Sequence, residues 1–229
     1  MISKRANVNS NAFYENQNNP DDFYDKYHIH PETFNSRVLS ATEELVQDDL
    51  LYIDDTPAVS MAHIRNECRR IKRECGTIGL IGVDYLTLMK AEKAERNDLA
   101  YGQITKELKN LAREMDCVVL LLTQLNRGLE NRTDKRPLPS DSRDTGQIEQ
   151  ECDYWFGLHK ESVYNEQADQ SLTEILVRLN RHGGTGKVYV DQKFGSMFEC
   201  NQIDAERRSQ IGKKEPRQQS YKKHDKDDF

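Results

Sequence analysis

An α/β fold with helices flanking a parallel sheet is predicted by three features of the chain. Two short branched apolar runs, Leu80-Ile81-Gly82-Val83 and Cys117-Val118-Val119-Leu120-Leu121-Leu122, each end in polar residues, as strands buried in a parallel sheet do. Between them Ile104, Leu108, Leu111 and Met115 recur at helical spacing, which supplies the crossover helix that adjacent parallel strands require. Near the C-terminus, residues 188–190 and 197–200 flank Lys193-Phe194-Gly195-Ser196, the pattern of a closing β-hairpin.

Taken in order, residues 1–50 form a polar segment of short helices, with starts at Asn19-Pro20-Asp21-Asp22 and Pro31-Glu32-Thr33. His28 and His30 alternate, but no Cys or acid stands near them at ligand spacing, so they read as surface or packing residues. Leu51-Tyr52-Ile53 reads as a short strand ended by Asp54-Asp55-Thr56-Pro57, ordinary turn chemistry rather than a catalytic carboxylate pair. Ser60 caps a helix with an apolar stripe of Ile64, Cys68, Ile71 and Cys75 and a solvated basic face, and Gly76 ends it. That helix leads into the first apolar run and closes a second strand-helix-strand unit. Residues 90–99 read as a charged loop, 152–158 as a third strand and 172–179 as a fourth. Gly183-Gly184-Thr185-Gly186 reads as a turn whose glycines supply positive φ. Residues 51–203 thus make the core, and 204–229 are a disordered charged tail.

Composition narrows the function classes. Of 229 residues 36% are hydrophobic and 31% charged, enough for one core between residues 53 and 198. A net charge of -6 argues against a generally basic nucleic-acid binder, so any contact with nucleic acid needs a local patch. Five cysteines without a C-x-x-C pair, mostly at core-facing positions, read as reduced thiols of a cytoplasmic protein. No apolar run approaches the roughly 20 residues that span a bilayer, so no membrane association is expected.

Asp84 is the first candidate site residue. It closes the first run, and an acid emerging at the carboxyl end of a parallel strand can hold the magnesium of a bound nucleotide, although an Asp there can also simply cap the next turn. Gln124 ends the neighbouring strand at the same edge. Beyond it, a proline-punctuated loop carries Arg127, Arg132, Lys135, Arg136 and Arg143, which outnumber its acids and form the local basic patch; a merely solvated loop is the alternative. Gly186-Lys187 is not a phosphate-binding loop, because Arg181 stands where its first glycine belongs and Val188 where its hydroxyl belongs.

Four blocks in one order make a resemblance specific: Asp84-Tyr85-Leu86, Gln124-Leu125-Asn126-Arg127, the stretch from Ser140-Asp141-x-Arg143 through Gly146-x-Ile148-Glu149-Gln150 to Asp153, and Arg181-x-Gly183. The chain resembles the DnaB-type replicative DNA helicases in their RecA-like ATPase domain, phage-encoded members in particular. The resemblance implies a P-loop NTPase-type sheet that here lacks the P-loop strand and helix. It also implies use of ATP and Mg2+, with Asp84 as the Walker B metal ligand, Gln124 as γ-phosphate sensor and Arg181 as an arginine finger serving a neighbouring subunit. The basic loop would grip single-stranded DNA inside a homo-oligomeric, hexameric ring. Further implied partners are a separate P-loop-containing N-terminal fragment, a primase or a helicase loader, and the place is the cytoplasm, the host's for a phage protein. Two departures stand out: no G-x-x-x-x-G-K-[ST] occurs, and Leu179 replaces the lysine that accompanies the finger. The implied function is the C-terminal part of a helicase that couples ATP hydrolysis to translocation and unwinding. A non-hydrolysing companion in such a ring, or a RecA-like ATPase of recombination or helicase loading, are the alternatives.

Overall fold

The computed structural model describes residues 2–47, 51–90, 97–142, 148–193 and 195–212. The chain opens with three helices, α1 (Ile2–Ala6), α2 (Pro20–Tyr27) and α3 (Pro31–Gln47), the last two started by prolines whose fixed φ suits a first helical turn. They share a small core of Ala6, Val8, Ala12, Phe23, Phe34 and Ala41, in which the Phe23 and Phe34 rings meet edge to face at 5.6 Å. His30 stacks on Tyr24 with ring centroids 4.5 Å apart.

Residues 51–53 correct the expected strand. They form no ladder with any described strand, and Ile53 is 82% exposed, so neither pairing nor burial holds them extended; the second strand-helix-strand unit is therefore incomplete. Asp54 does make a turn, accepting from the Thr56 N–H at 3.0 Å. Helix α4 (Met61–Cys75) starts where expected, with Ser60 Oγ accepting from the His63 N–H at 3.2 Å, and ends at Gly76, whose φ is +82°. Its basic face is less solvated than expected. Arg65 and Arg69 reach Glu107 (3.3 Å) and Glu114 (2.6 Å) on α5 (Asn97–Met115), and Lys72 donates to the Met115 carbonyl at 2.9 Å. Of the cysteines only Cys68 is buried and Cys75 is exposed, so the thiols face the core less than their spacing suggested.

Helix α5 is the crossover. Ile104, Leu108, Leu111 and Met115 are all buried against Val83, Leu86 and Met61, and the helix joins β1 (Leu80–Val83) to the parallel β2 (Val118–Leu121) in the register Val83 to Leu121. The remaining strands make a separate antiparallel sheet in the order β3 (Tyr154–His159), β4 (Leu172–Asn180), β5 (Gly186–Lys193), β6 (Ser196–Glu199). Gly195, at φ +76°, turns β5 into β6. The 183–186 turn lies between β4 and β5 as expected, but none of its glycines has positive φ; at Gly183 the need is space, since a Cβ would stand 2.9 Å from the Asn180 amide nitrogen. On β6, the Met197 carbonyl accepts from Lys4 Nζ of α1 at 3.1 Å, and the same ammonium lies 5.5 Å from the Phe198 ring centre.

Residues 204–208 are not the tail that composition suggests. Helix α7 (Gln202–Arg208), capped by Asn201, buries Ala205 against β5, and Arg208 bridges Asp169 (2.7 Å) and Asp191 (2.6 Å), so burial and paired charge order a segment that reads as solvated. Residues 213–229 lie outside the described residues, as do 91–96 of the expected charged loop, whose end is instead the first turn of α5.

Candidate functional site

The ladder between β1 and β2 continues past both strands, with Leu122 N–H donating to the Val83 carbonyl (3.0 Å) and Leu86 N–H to the Leu122 carbonyl (3.1 Å). Asp84 and Gln124 thereby leave the same carboxyl edge of two paired parallel strands, where open α/β sheets collect ligands. Both are exposed, and neither has a hydrogen bond or ion pair among the described residues. The peptide between Asp84 and Tyr85 is cis. Between the strand and Gln124, the Thr123 hydroxyl is buried without a hydrogen-bond partner among the described residues.

The basic loop follows directly. Asn126 receives a hydrogen bond from Gly128 N–H (2.9 Å) and shapes a 3-10 turn over Arg127–Asn131, and Leu125 bridges to Ser142 so that the loop closes on itself. Arg127 is exposed and has no partner among the described residues. The next two basic residues work within the loop. Arg132 pairs with Asp141 (2.9 Å) and donates to the Arg136 carbonyl (2.6 Å), while Lys135 donates to the carbonyls of Glu130 (2.7 Å) and Arg132 (3.0 Å). Arg136 bonds Glu174 of β4, whose carboxylate burial pushes up and this guanidinium pulls below its ordinary value. Glu161 stands 3.8 Å from the same guanidinium and 2.9 Å from Nε2 of buried His159. Arg143 lies outside the described residues.

Arg181, just past β4, folds back onto the end of α6 (Ile148–Glu151): its Nε donates to the Cys152 carbonyl at 2.9 Å and its Nη2 to the Gln150 carbonyl. A cation suits the negative end of a helix. Sequence reasoning counted Asp141 among the acids of the loop but missed Glu174 as the partner of Arg136. Glu174 reads as one more strand residue, and only its place opposite the loop shows that it partners Arg136.

No group of three His, Cys, Asp or Glu side chains could hold a metal among the described residues. A single carboxylate such as Asp84 still suits Mg2+, which binds through one or two carboxylates together with substrate phosphates and water.

The family model of the DnaB-like helicase C-terminal domain matches residues 1–198. Replicative DNA helicase DnaB of Pasteurella multocida is 44% identical over 140 residues, covering 60% of this chain and 30% of that protein. DnaB of Haemophilus influenzae is 37% identical over 165 residues, 71% of this chain and 35% of that one. The chain thus spans about a third of the length of these curated relatives. A solved DnaB-like replicative helicase, described with its interactions with primase, superposes with a TM-score of 0.75 at 26% identity over 88% of this chain and 46% of its own. A solved ATPase domain gives the same TM-score at 27% identity, with 88% and 69% covered. The chain belongs to the DnaB-like helicase C-terminal domain family.

Proposed function

We propose that this chain supplies the metal-binding, sensing and DNA-contacting part of a replicative helicase ATPase domain, in which ATP hydrolysis drives movement along single-stranded DNA inside a homo-oligomeric, hexameric ring. The observation that carries the reading is the shared edge of Asp84 and Gln124 on paired parallel strands, with the basic loop starting three residues after Gln124.

In this reading Asp84 is the carboxylate ligand of Mg2+, which when bound neutralises charge on the β- and γ-phosphates of ATP. Gln124 holds the γ-phosphate side of the site through its amide, and its strand runs straight into the loop, so a change at the phosphate reaches Arg127 through three residues of backbone. Arg181 leaves the α6 carbonyls and serves the nucleotide of the adjacent subunit. The phosphate cradle comes from a P-loop-containing N-terminal part, since the 229 residues hold no G-x-x-x-x-G-K-[ST]. Primase or a loader would join the assembled ring.

The test is a fusion that places, before Met1, the part of the Pasteurella multocida ATPase domain preceding the aligned segment. The chain alone is expected to turn over no ATP, and the fusion to hydrolyse it in a DNA-stimulated way that Asp84→Ala abolishes. Hydrolysis that survives Asp84→Ala would overturn the reading.

A further inference from the structure

We propose that Arg178 is a positioning residue that locks the basic loop to the strand carrying Arg181, so that DNA held by the loop sets the aim of that arginine at the neighbouring subunit's nucleotide. The lock rests on contacts within this chain; its consequence rests on the ATPase reading above.

The register of β4 singles this residue out. His159 and Gly157 of β3 stand opposite Glu174 and Leu176, and Trp155 stands opposite Leu179, while Arg178 has no partner on β3. The ladder with β5 ends at Val177, so Arg178 has none there either. It is the extra residue of a β-bulge, a device that re-aims side chains. Directly opposite residues share a face of the sheet. Trp155, Gly157 and His159 alternate onto one face, so Glu174, Leu176 and Leu179 lie there too, although 176 and 179 are an odd number of residues apart. Without the bulge every residue past it would change faces. Arg181 follows Leu179 by two residues, with its N–H on the Asp153 carbonyl at 3.0 Å, and so keeps the face of Glu174.

That face is the one the basic loop covers. Arg136 forks onto Glu174 (2.8 and 2.6 Å), and Arg178 Nε donates to the carbonyl of the next loop residue, Pro137, at 3.2 Å. Pro137 is fully buried. It fills space that Gly157 leaves open, where a Cβ would stand 3.0 Å from the proline Cβ and 2.9 Å from the Trp155 ring. Trp155 in turn donates from Nε1 to Ser142 Oγ at 3.1 Å, at the far end of the loop. The loop is thus fixed to the sheet at Glu174, Arg178 and Trp155, and Arg181 leaves β4 three residues after the second of these. Hydrogen-bonded chains along a rigid element are what carry coupling between sites.

Two other roles compete. A direct phosphate contact would use the terminal nitrogens of Arg178, which have no partner among the described residues, but the side chain is half-buried and its Nε is committed to a loop carbonyl. A tie that merely stabilises the sheet would join strand to strand. Arg178 lies outside both ladders, so its bond joins loop to strand.

Hydrogen exchange on the chain by itself tests the lock. Arg178→Met keeps the aliphatic stem and removes the donor. It should raise exchange about tenfold, the size of one charge-assisted hydrogen bond, at Arg181 and at Asn126, whose N–H bonds the Asp141 carbonyl across the loop at 2.6 Å. The β4 to β5 amides from Leu172 to Val177 should keep their rates. Arg178→Lys can still donate to one carbonyl and should restore most of the protection. Arg178→Ser should match Arg178→Met and covers the case of a Met variant that fails to fold. Equal loosening of the β4 to β5 ladder, or no change at Arg181, overturns the proposal.

The fusion described above tests the consequence, with oligo-dT as the probe. Arg178→Met should lower the ratio of ATPase with DNA to ATPase without it about tenfold, and leave the Kd for oligo-dT and the KM for ATP within about twofold, as a misaimed group does. Arg178→Lys should restore the ratio. Lys160→Met, which removes the bond from Lys160 Nζ to Gln192 of β5 (3.0 Å), should leave it unchanged. A weaker Kd with an unchanged ratio would make Arg178 a DNA contact and overturn the proposal, as would an unchanged ratio at unchanged Kd. A fusion that hydrolyses no ATP even when unaltered counts against the ATPase reading alone, and the exchange rates then decide the lock.

Discussion

Arg136 holds both carboxylate oxygens of Glu174, Nε to Oε2 at 2.8 Å and Nη2 to Oε1 at 2.6 Å, and the Glu174 side chain is only 5% exposed. This fork nails the basic loop to the middle of the antiparallel sheet. Removing one partner of a buried pair strands the other charge, so Arg136→Ala and Glu174→Gln should each cost about 3 kcal/mol. Urea unfolding at neutral pH measures it. Costs near zero for both variants would show that the pair is dispensable to the fold.

Arg127 is the opposite case, exposed and without a partner among the described residues. In the assembled fusion, Arg127→Glu should weaken single-stranded DNA binding alike on any sequence and lower the salt dependence, by about one counterion per lost phosphate contact, without changing the unfolding midpoint. Arg132, Lys135 and Arg136 are expected to show mixed losses of binding and stability, because each is also bonded within the folded chain. Sequence-selective loss in Arg127→Glu would rule out a backbone-gripping role.

Asp169 links stability to pH. The Arg208 guanidinium, helped by Ser171, holds this carboxyl well below the usual Asp range against the upward push of burial. A depressed carboxylate stabilises the fold above its unfolded value, and that contribution is lost as pH falls toward the folded one. Asp169→Asn should therefore lower the melting temperature at pH 7, and the gap to the unaltered protein should narrow below pH ~4. Melting curves from pH 7 to pH 2.5 check it. A constant gap would mean that the ion pair is not the source.

Mixing subunits tests Arg181. In fused rings, Arg181→Ala and Asp84→Ala subunits should each be inactive alone. Combined, they should regain part of the ATPase, because some interfaces pair an intact Asp84 with an intact Arg181 from next door. Mixed rings that form yet never exceed their parents would place Arg181 within its own subunit, where it already binds the α6 carbonyls.

Periodicity made the α5 crossover and the strands at residues 80 and 118 legible, because a stripe such as Ile104, Leu108, Leu111 and Met115 and a branched run have few alternative readings. The edge shared by Asp84 and Gln124 followed from those two strands. What stayed hidden depended on long-range partners. Residues 51–53 have strand composition and no ladder partner among the described residues, and residues 204–208 have tail composition, yet Ala205 and Arg208 find a buried seat and two acids. The loop cations likewise read as free charge, because Asp141 and Glu174 come beside them only in the folded chain.

The contact between α1 and β6 sets how the antiparallel sheet can grow. At β6 a lysine from α1 occupies the Met197 carbonyl, so a foreign strand arriving there must first displace it, whereas β3 carries no such contact among the described residues. A charged side chain lying on an edge strand is one of the means by which sheets discourage edge-to-edge pairing with other chains.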